Sequence, residues 1–458
     1  MAPAGPGPDL AAAIPPAVRT HIDTLRAHGF AAYAVGGALR DALRGAEAYD
    51  WDLASSAAPE QVQALFPGSV YENAFGTVAL RVAGLPEPLQ ITTFRQDHDY
   101  ADFRRPHRIV FGGTIEVDLA RRDFTMNALA WGGPPGVEAE PGLVDPYDGA
   151  VDIEARRIRA VGEPAARFRE DALRILRAIR FAATLPGFEI EPATLAAIRE
   201  HAPLTAHLSG ERVLAELDRL LLAPTPSIGL RLLADTGVLA VVMPELEAQR
   251  GVPQNKIPGE DLWGHTLRTV DASAATPVVR LAALLHDIGK PATLADGRFV
   301  GHDTVGATIA IELLDRLHAP RERTDHVSRL IRHHMFSVEP RSSDAAVRRF
   351  LVRVGLDLVD DLLLLREADN VGSGLPADAG RVSTLRRRIA EQLEAKVALD
   401  RTQLAIDGHE VMRELGIGPG PQLGRILDAL TDRVIADPRL NDRPRLLSLA
   451  RDIAAGRR

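Results

Sequence analysis

The chain is 458 residues long, enough for about three domains that each bury a core of their own. Its formal net charge of -8, from 62 acidic against 54 basic residues, argues against a protein that coats nucleic acid along its whole surface, so any RNA contact must be local. Cysteine is absent, which excludes disulfides and thiolate metal sites and leaves histidine and carboxylate as metal ligands.

Residues 1 to 16, MAPAGPGPDLAAAIPP, lack a basic stretch ahead of an apolar core and read as a flexible N-terminus rather than a signal peptide. No run approaches the length of a membrane span, so a cytoplasmic enzyme is the expectation. Ala17 to His28 is amphipathic and is stopped by Gly29. Phe30 to Val35 is an apolar run that predicts a buried strand, and Gly36-Gly37 after it lets the backbone approach a triphosphate with no Cβ in the way. Ala38 to Leu43 then reads as a helix whose first N–H groups face the same anion.

Tyr49 to Ala54 has strand character, and residues two apart on a strand share a face, so Asp50 and Asp52 project together. Two carboxylates held this way can bind the pair of Mg²⁺ ions that activates an attacking hydroxyl and steadies a leaving pyrophosphate. Alone, a Gly pair is usually a plain turn and a DxD usually a solvated loop. In this order and at this spacing they predict nucleotidyl transfer.

Thr77 to Val82 and Leu89 to Phe94 alternate like sheet strands around Gly84-Leu85-Pro86. From about residue 163 the pattern turns helical, with punctuation at Pro186-Gly187, Pro224 to Pro226 and Gly251 to Gly259, the last reading as a linker. Residues 156 to 180 carry eight Arg, which suggests an anion-facing surface. Asp171, Arg174, Arg177 and Arg180 are three apart and predict a stripe along one helix, able to pair with a base edge and hold phosphates. A salt-bridged, solvated helix face is the plainer reading of the same spacing.

The block 260 to 372 is helical and holds seven of the 14 histidines. His286-Asp287 closes the apolar helix Val278 to Leu285 ahead of Gly289, Lys290 and Pro291, and such a pair can share one metal or bridge two. The tail is again helical, broken at Gly416 to Pro421.

GGALRDALRG, DWDLAS, ITTFR, RRDFTMNALA, LVDPYDGAVDIEARRIRAVG and REDALRILRAIRF together resemble, in order and spacing, the bacterial class II tRNA nucleotidyltransferase and poly(A) polymerase family, from about residue 17 to 455. The pattern His265, His286-Asp287, His302, His334, Asp369 resembles the HD phosphohydrolase superfamily, with His334 favoured over its neighbour His333. The resemblance implies an α+β architecture. After residues 1 to 16 come a polymerase-β-like head of mixed sheet and helices (17 to 150), a helical neck and RNA-binding region (151 to 259), an HD domain (260 to 372) and a helical tRNA-binding tail (373 to 458).

It further implies that Gly36, Gly37 and Arg40 contact the triphosphate, that Asp50 and Asp52 hold Mg²⁺, and that Arg122, Asp123 and Asn127 reach the nucleotide. Asp171 and Arg174 would act as an amino-acid template for C and A, supported by Arg177 and Arg180. The implied reaction is addition of CCA to the 3' end of tRNA from CTP and ATP, with tRNA as partner and neither DNA nor membrane. The six HD ligands would hold a divalent ion, Mg, Mn, Ni or Fe, for removing phosphate from damaged RNA 3' ends, including 2',3'-cyclic phosphates. Gln90 departs from the family pattern, which commonly has an acid there. The segment 95 to 112 looks like the family's flexible loop and favours an enzyme that completes the A step. The alternatives are a poly(A) polymerase, a CC-only or A-only enzyme, a hydrolase whose transferase head is inert, and a non-catalytic nucleotide sensor or RNA-binding module. The sequence sets no oligomeric state.

Overall fold

The computed structural model describes residues 10–73, 76–100, 106–254, 256–336, 342–395 and 397–457. Its contacts divide the chain into two units, the first ending at Pro244 and the second starting at Glu245.

The first unit is built on a mixed sheet of strands β1 (Ala32–Val35), β2 (Asp52–Ser55), β3 (Val70–Asn73), β4 (Thr77–Leu80), β5 (Leu89–Thr93), β8 (Ala130–Gly133) and β9 (Gly142–Val144), in the order β3-β4-β5-β2-β1-β8-β9. Between them in sequence, β6 (Arg95–Tyr100) and β7 (Pro106–Phe111) pair as a separate antiparallel hairpin. Where the sequence suggests a loop over 95 to 112, these two strands form, and 101 to 105 lie outside the described residues. All four residues of β1 are buried, which is why its apolar run lacks the alternation of a half-exposed strand. β1 is antiparallel to β2 and β8, whereas β2 and β5 run parallel. Tyr33, Val35, Phe94, Ile115 and Leu119 pack into one core cluster.

Four helices frame the site residues of this unit: α1 (Gly37–Leu43), α2 (Ile115–Ala120), α3 (Pro164–Glu170) and α4 (Leu173–Thr184). A fifth, α5 (Gly210–Leu221), packs against α4. Two local expectations are corrected. Asp50 precedes β2 rather than lying on it, because regular pairing begins where Asp52 meets Val35. Asp171 is not on one helix with Arg174, Arg177 and Arg180: its backbone is extended, with φ -147° and ψ 106°, and it separates α3 from α4. Its Oδ1 accepts from Leu173 N at 3.0 Å, satisfying the first N–H of the new helix from the residue before its N-cap.

The second unit is helical. Helix α7 (Pro277–Leu285) is buried on seven residues and packs against α6 (Leu262–Ala272), α9 (Arg321–His333) and α10 (Val359–Gly372), while α8 (His302–Arg316) packs against α9. Two glycines set the closeness of this packing. A Cβ at Gly289 would lie 2.3 Å from His302 O, and one at Gly372 would lie 2.0 Å from Thr269 Oγ1. Neither space admits a side chain, so glycine is what brings His302 against the His286-Asp287 corner and α10 against α6. Toward the C-terminus, Gly408–Leu415, Pro421–Ala436 and Arg443–Ala454 close a separate cluster around Val411, Leu430 and Leu446.

Candidate active sites

Gly36 caps α1 with φ 83°, a left-handed value that favours glycine. A Cβ there would lie 3.3 Å from Asp52 Oδ2 and 3.8 Å from Arg122 Nη1. Bare backbone, carboxylate and guanidinium therefore converge at the turn. Asp52 opens β2, and Asp50 lies exposed two residues earlier. Burial, and then the charge of Asp50, push the Asp52 carboxyl up to about 7 against the pull of Arg122. A buried carboxyl raised by its neighbour's charge fits a divalent cation, whose field would offset both penalties. The parallel register sets Gln90 beside Asp52, at the edge of this carboxylate pair.

These groups line one cleft of about 600 Å³. Gly36, Gly37, Arg40, Asp50 and Asp52 reach it from the strand, turn and helix at its start, Arg122, Asp123 and Asn127 from the segment after α2, and Asp171, Arg174, Arg177 and Arg180 from the helical side. All twelve sequence-named positions of the first unit are thus brought together. Arg121, Leu173, Phe181 and Arg219 join them without having been singled out. The ring of Phe181 is ringed by guanidinium groups, with Arg180 at 4.1 Å, Arg40 at 5.3 Å and Arg177 at 5.4 Å from its centroid.

Fixed hydrogen bonds hold most of these cations. Arg40 donates to both carboxylate oxygens of Asp41, at 3.0 and 2.9 Å, and to Asn127 Oδ1 at 2.9 Å. Asn127 in turn donates to Asp123 Oδ1 at 3.1 Å, and Arg177 Nε donates to Asp123 Oδ2 at 2.7 Å. Burial acts to raise the Asp123 carboxyl, but Arg177 and the Asn127 bond outweigh it and hold the group at about 2. Asp118, 1% exposed, anchors Arg121 at 2.6 Å and Arg122 at 3.1 Å. Its spacing three and four residues ahead of that arginine pair on a helix was the available signal. Arg174 is held by Glu170 at 2.7 Å and Arg180 by Glu216 at 2.6 Å. The stripe is therefore both salt-bridged and cleft-lining, so the plainer reading of its spacing and the functional one describe the same residues.

In the second unit, His265, His286, Asp287, His302, His334 and Asp369 converge, as two triads joined by one carboxylate. His265 Nε2 lies 3.1 Å from His286 Nε2 and 3.3 Å from Asp369 Oδ1. His302 Nε2 lies 3.3 Å from His334 Nε2. Asp287 stands between: its Oδ2 is 3.3 Å from His265 and 3.1 Å from His286, its Oδ1 3.4 Å from His302 and 3.6 Å from His334. His333, next along the chain, is outside the cluster.

The Nδ1 atoms of His286, His302 and His334 each meet a backbone carbonyl, of Ala283 at 2.8 Å, Phe299 at 2.7 Å and Ile331 at 2.6 Å. Each such bond places the ring proton on Nδ1 and turns the Nε2 lone pair into the cluster. Lone pairs facing one another at these distances fit divalent cations, as does Asp287 Oδ2, which accepts no well-angled hydrogen bond. Two lysines were not foreseen in this cluster. Lys290 Nζ is 2.6 Å from Asp287 Oδ2, and Lys256 Nζ is 3.3 Å from both Asp369 Oδ1 and His265 Nε2.

Three family models match the chain: the poly A polymerase head domain over residues 32–159, a "probable RNA and SrmB- binding site of polymerase A" over 187–250, and the HD domain over 263–372. A CCA-adding enzyme of Geobacillus kaustophilus is 34% identical over 93% of this chain and 94% of its own length. That of Streptococcus mutans is 32% identical over 94% of this chain and 95% of its own. Among solved structures, the Bacillus stearothermophilus CCA-adding enzyme in complex with CTP superposes with a TM-score of 0.72 at 30% identity, over 97% of this chain and 99% of that one. The Thermotoga maritima CCA-adding enzyme complexed with tRNA shares the fold, with a TM-score of 0.56 at 20% identity over 97% of each chain. Coverage this complete at this identity means that the chain belongs to the family of CCA-adding enzymes.

Proposed function

We propose that this chain adds C, C and A to the 3' end of tRNA from CTP and ATP. The observation that carries the reading is the cleft shared by a raised, paired carboxylate, a glycine turn and the side chains of Asp171 and Arg174. Asp50 and Asp52 would hold Mg²⁺, which when bound supplies activation of the attacking hydroxyl and neutralisation of the leaving pyrophosphate. The tRNA 3' hydroxyl attacks the α-phosphate, and the bond to pyrophosphate breaks.

The chain's own residues chiefly position the reactants. The bare Gly36-Gly37 backbone and the prefixed Arg40 and Arg122 receive the triphosphate. Asp171 accepts the exocyclic amino group of cytosine or adenine, and Arg174 donates to the adjacent ring acceptor. The head at 17 to 150, neck at 151 to 259 and tail at 373 to 458 divide catalysis from RNA contact. The family's other members and structures favour CCA addition over poly(A) synthesis.

The HD block, 260 to 372, is read as a separate phosphohydrolase centre. Its two triads, His265–His286–Asp369 and Asp287–His302–His334, would hold divalent metal, drawn from Mg, Mn, Ni or Fe, which would supply activation of water. Supplying tRNA that lacks its last three residues with labelled CTP alone tests the transferase reading: incorporation stops after two C, and adding ATP then supplies one A. Incorporation of A without prior C, or of A in long runs, contradicts it.

A further inference from the structure

Asp171 is held by a residue that lies outside the cleft lining. Its Oδ1 accepts from Arg212 Nη2 at 3.0 Å, and its Oδ2 from the same nitrogen at 2.8 Å. Arg212 is on α5, one helical turn before Glu216, and Glu216 is the partner of Arg180. Helix α5 therefore grips both ends of the base-reading stripe with opposite signs, a cation on Asp171 and an anion on Arg180. Sliding α5 by one turn would set like charges together, so the pairing fixes the register of the two helices.

We propose that Arg212 is a positioning residue for base choice, holding the Asp171 carboxylate in the orientation that accepts an amino group and so separating cytosine and adenine from uracil and guanine. This rests on the reading of Asp171 as part of the template. A carboxylate only accepts hydrogen bonds. Cytosine and adenine offer it an amino group, whereas uracil and guanine offer a keto oxygen that repels it. That discrimination is only as sharp as the carboxylate is fixed. The terminal torsion of an aspartate is broad and nearly two-fold, and the Leu173 N–H restrains Oδ1 alone. One nitrogen of Arg212 straddles both oxygens and removes the remaining rotation.

The second nitrogen takes no part. Arg212 Nη1 is buried with no hydrogen-bond partner among the described residues. The forked geometry of arginine is thus unused, and a lysine ammonium reaching the same point should serve.

The test measures kcat/KM for CTP and for UTP on the full chain, with tRNA lacking its last three residues. Arg212→Met lowers the preference for C over U roughly ten-fold, chiefly through kcat for CTP, because the triphosphate contacts that set KM are elsewhere. Arg212→Lys recovers the preference to within about three-fold of the unaltered chain. Should Arg212→Met not fold, judged by its thermal melt, Arg212→Gln gives the same readout. An unchanged C-over-U ratio, even with lower total activity, overturns the positioning role, and so does failure of Arg212→Lys to recover the ratio. Asp171→Asn separates the two levels of inference. If it leaves base choice unchanged the template reading itself fails, and if it alters base choice while Arg212→Met does not, only the role of Arg212 fails.

Discussion

Asp52 on β2 and Gln90 on β5 stand side by side in parallel register, so a residue at position 90 is the nearest strand neighbour of the carboxylate pair. If Asp50 and Asp52 hold the cation, an acid at position 90 adds a third negative charge beside them. Gln90→Glu should lower the Mg²⁺ concentration for half-maximal nucleotide incorporation about ten-fold, the effect of about 1.4 kcal/mol of added attraction. Titration of activity against Mg²⁺ at fixed CTP checks this, and an unchanged midpoint would remove Gln90 from the site.

Asp52 also sets a pH dependence. Its folded carboxyl is raised to about 7 from 3.8, so the fold prefers it protonated, and its contribution to stability is lost as pH rises from about 4 through about 7. With chelator present, Asp52→Asn should therefore raise the melting temperature at pH 8 and leave it unchanged at pH 4. Binding of Mg²⁺ to the unaltered chain at pH 6 should release about one proton, falling toward none at pH 8.5. Calorimetry in buffers of different ionisation enthalpy reads this directly.

Asp123 works with the opposite sign. Its carboxyl is held at about 2 by Arg177 and Asn127 despite burial, so its stabilisation is complete above the unfolded value of 3.8 and is lost as pH falls through about 2. Arg177→Gln leaves that buried charge to the Asn127 amide and the Phe124 N–H and should destabilise the chain by about 2 kcal/mol at pH 7. The loss should shrink as Asp123 becomes protonated at lower pH. Urea unfolding at pH 7 and pH 4 measures both.

In the second unit, Lys256 Nζ lies 3.3 Å from both His265 Nε2 and Asp369 Oδ1, in the triad that also holds His286, whereas Lys290 Nζ contacts Asp287, the carboxylate beside His302 and His334. Lysine is scarce here, with only Lys256, Lys290 and Lys396 in the whole chain, yet two of the three are at this cluster. Lys256→Met should tighten the weaker of two Mn²⁺ binding events about ten-fold and leave the tighter one unchanged. Equilibrium dialysis of the purified chain provides the measurement. His286→Ala should lower bound Mn²⁺ while C and A incorporation stays within about two-fold, because that chemistry belongs to the first unit.

The parts of the site legible in the sequence are those whose geometry is local. Gly36-Gly37 ahead of a helix, two aspartates two residues apart and His286-Asp287 at a helix end all act over a few residues. The β1 strand and the helices of the HD block follow from apolar runs and their breakers in the same way. What was not legible depends on distant pairing. Arg180 meets Glu216 across 36 residues, Arg212 meets Asp171 across 41, and Lys256 meets Asp369 across 113. Asp171 shows a different failure. A spacing of three predicts one continuous helix, and the aspartate instead takes an extended backbone between two helices, its side chain accepting from the first N–H of the second.

CCA addition by the Asp50–Asp52 cleft is checked by sequencing the 3' ends of tRNA that lacks CCA after incubation with this chain, CTP, ATP and Mg²⁺, beside the Asp52→Ala variant. The expected result is ends completed with CCA and then no further extension, with incorporation by Asp52→Ala lower by at least about a thousand-fold. Tails of A alone, or equal incorporation by the variant, would contradict it.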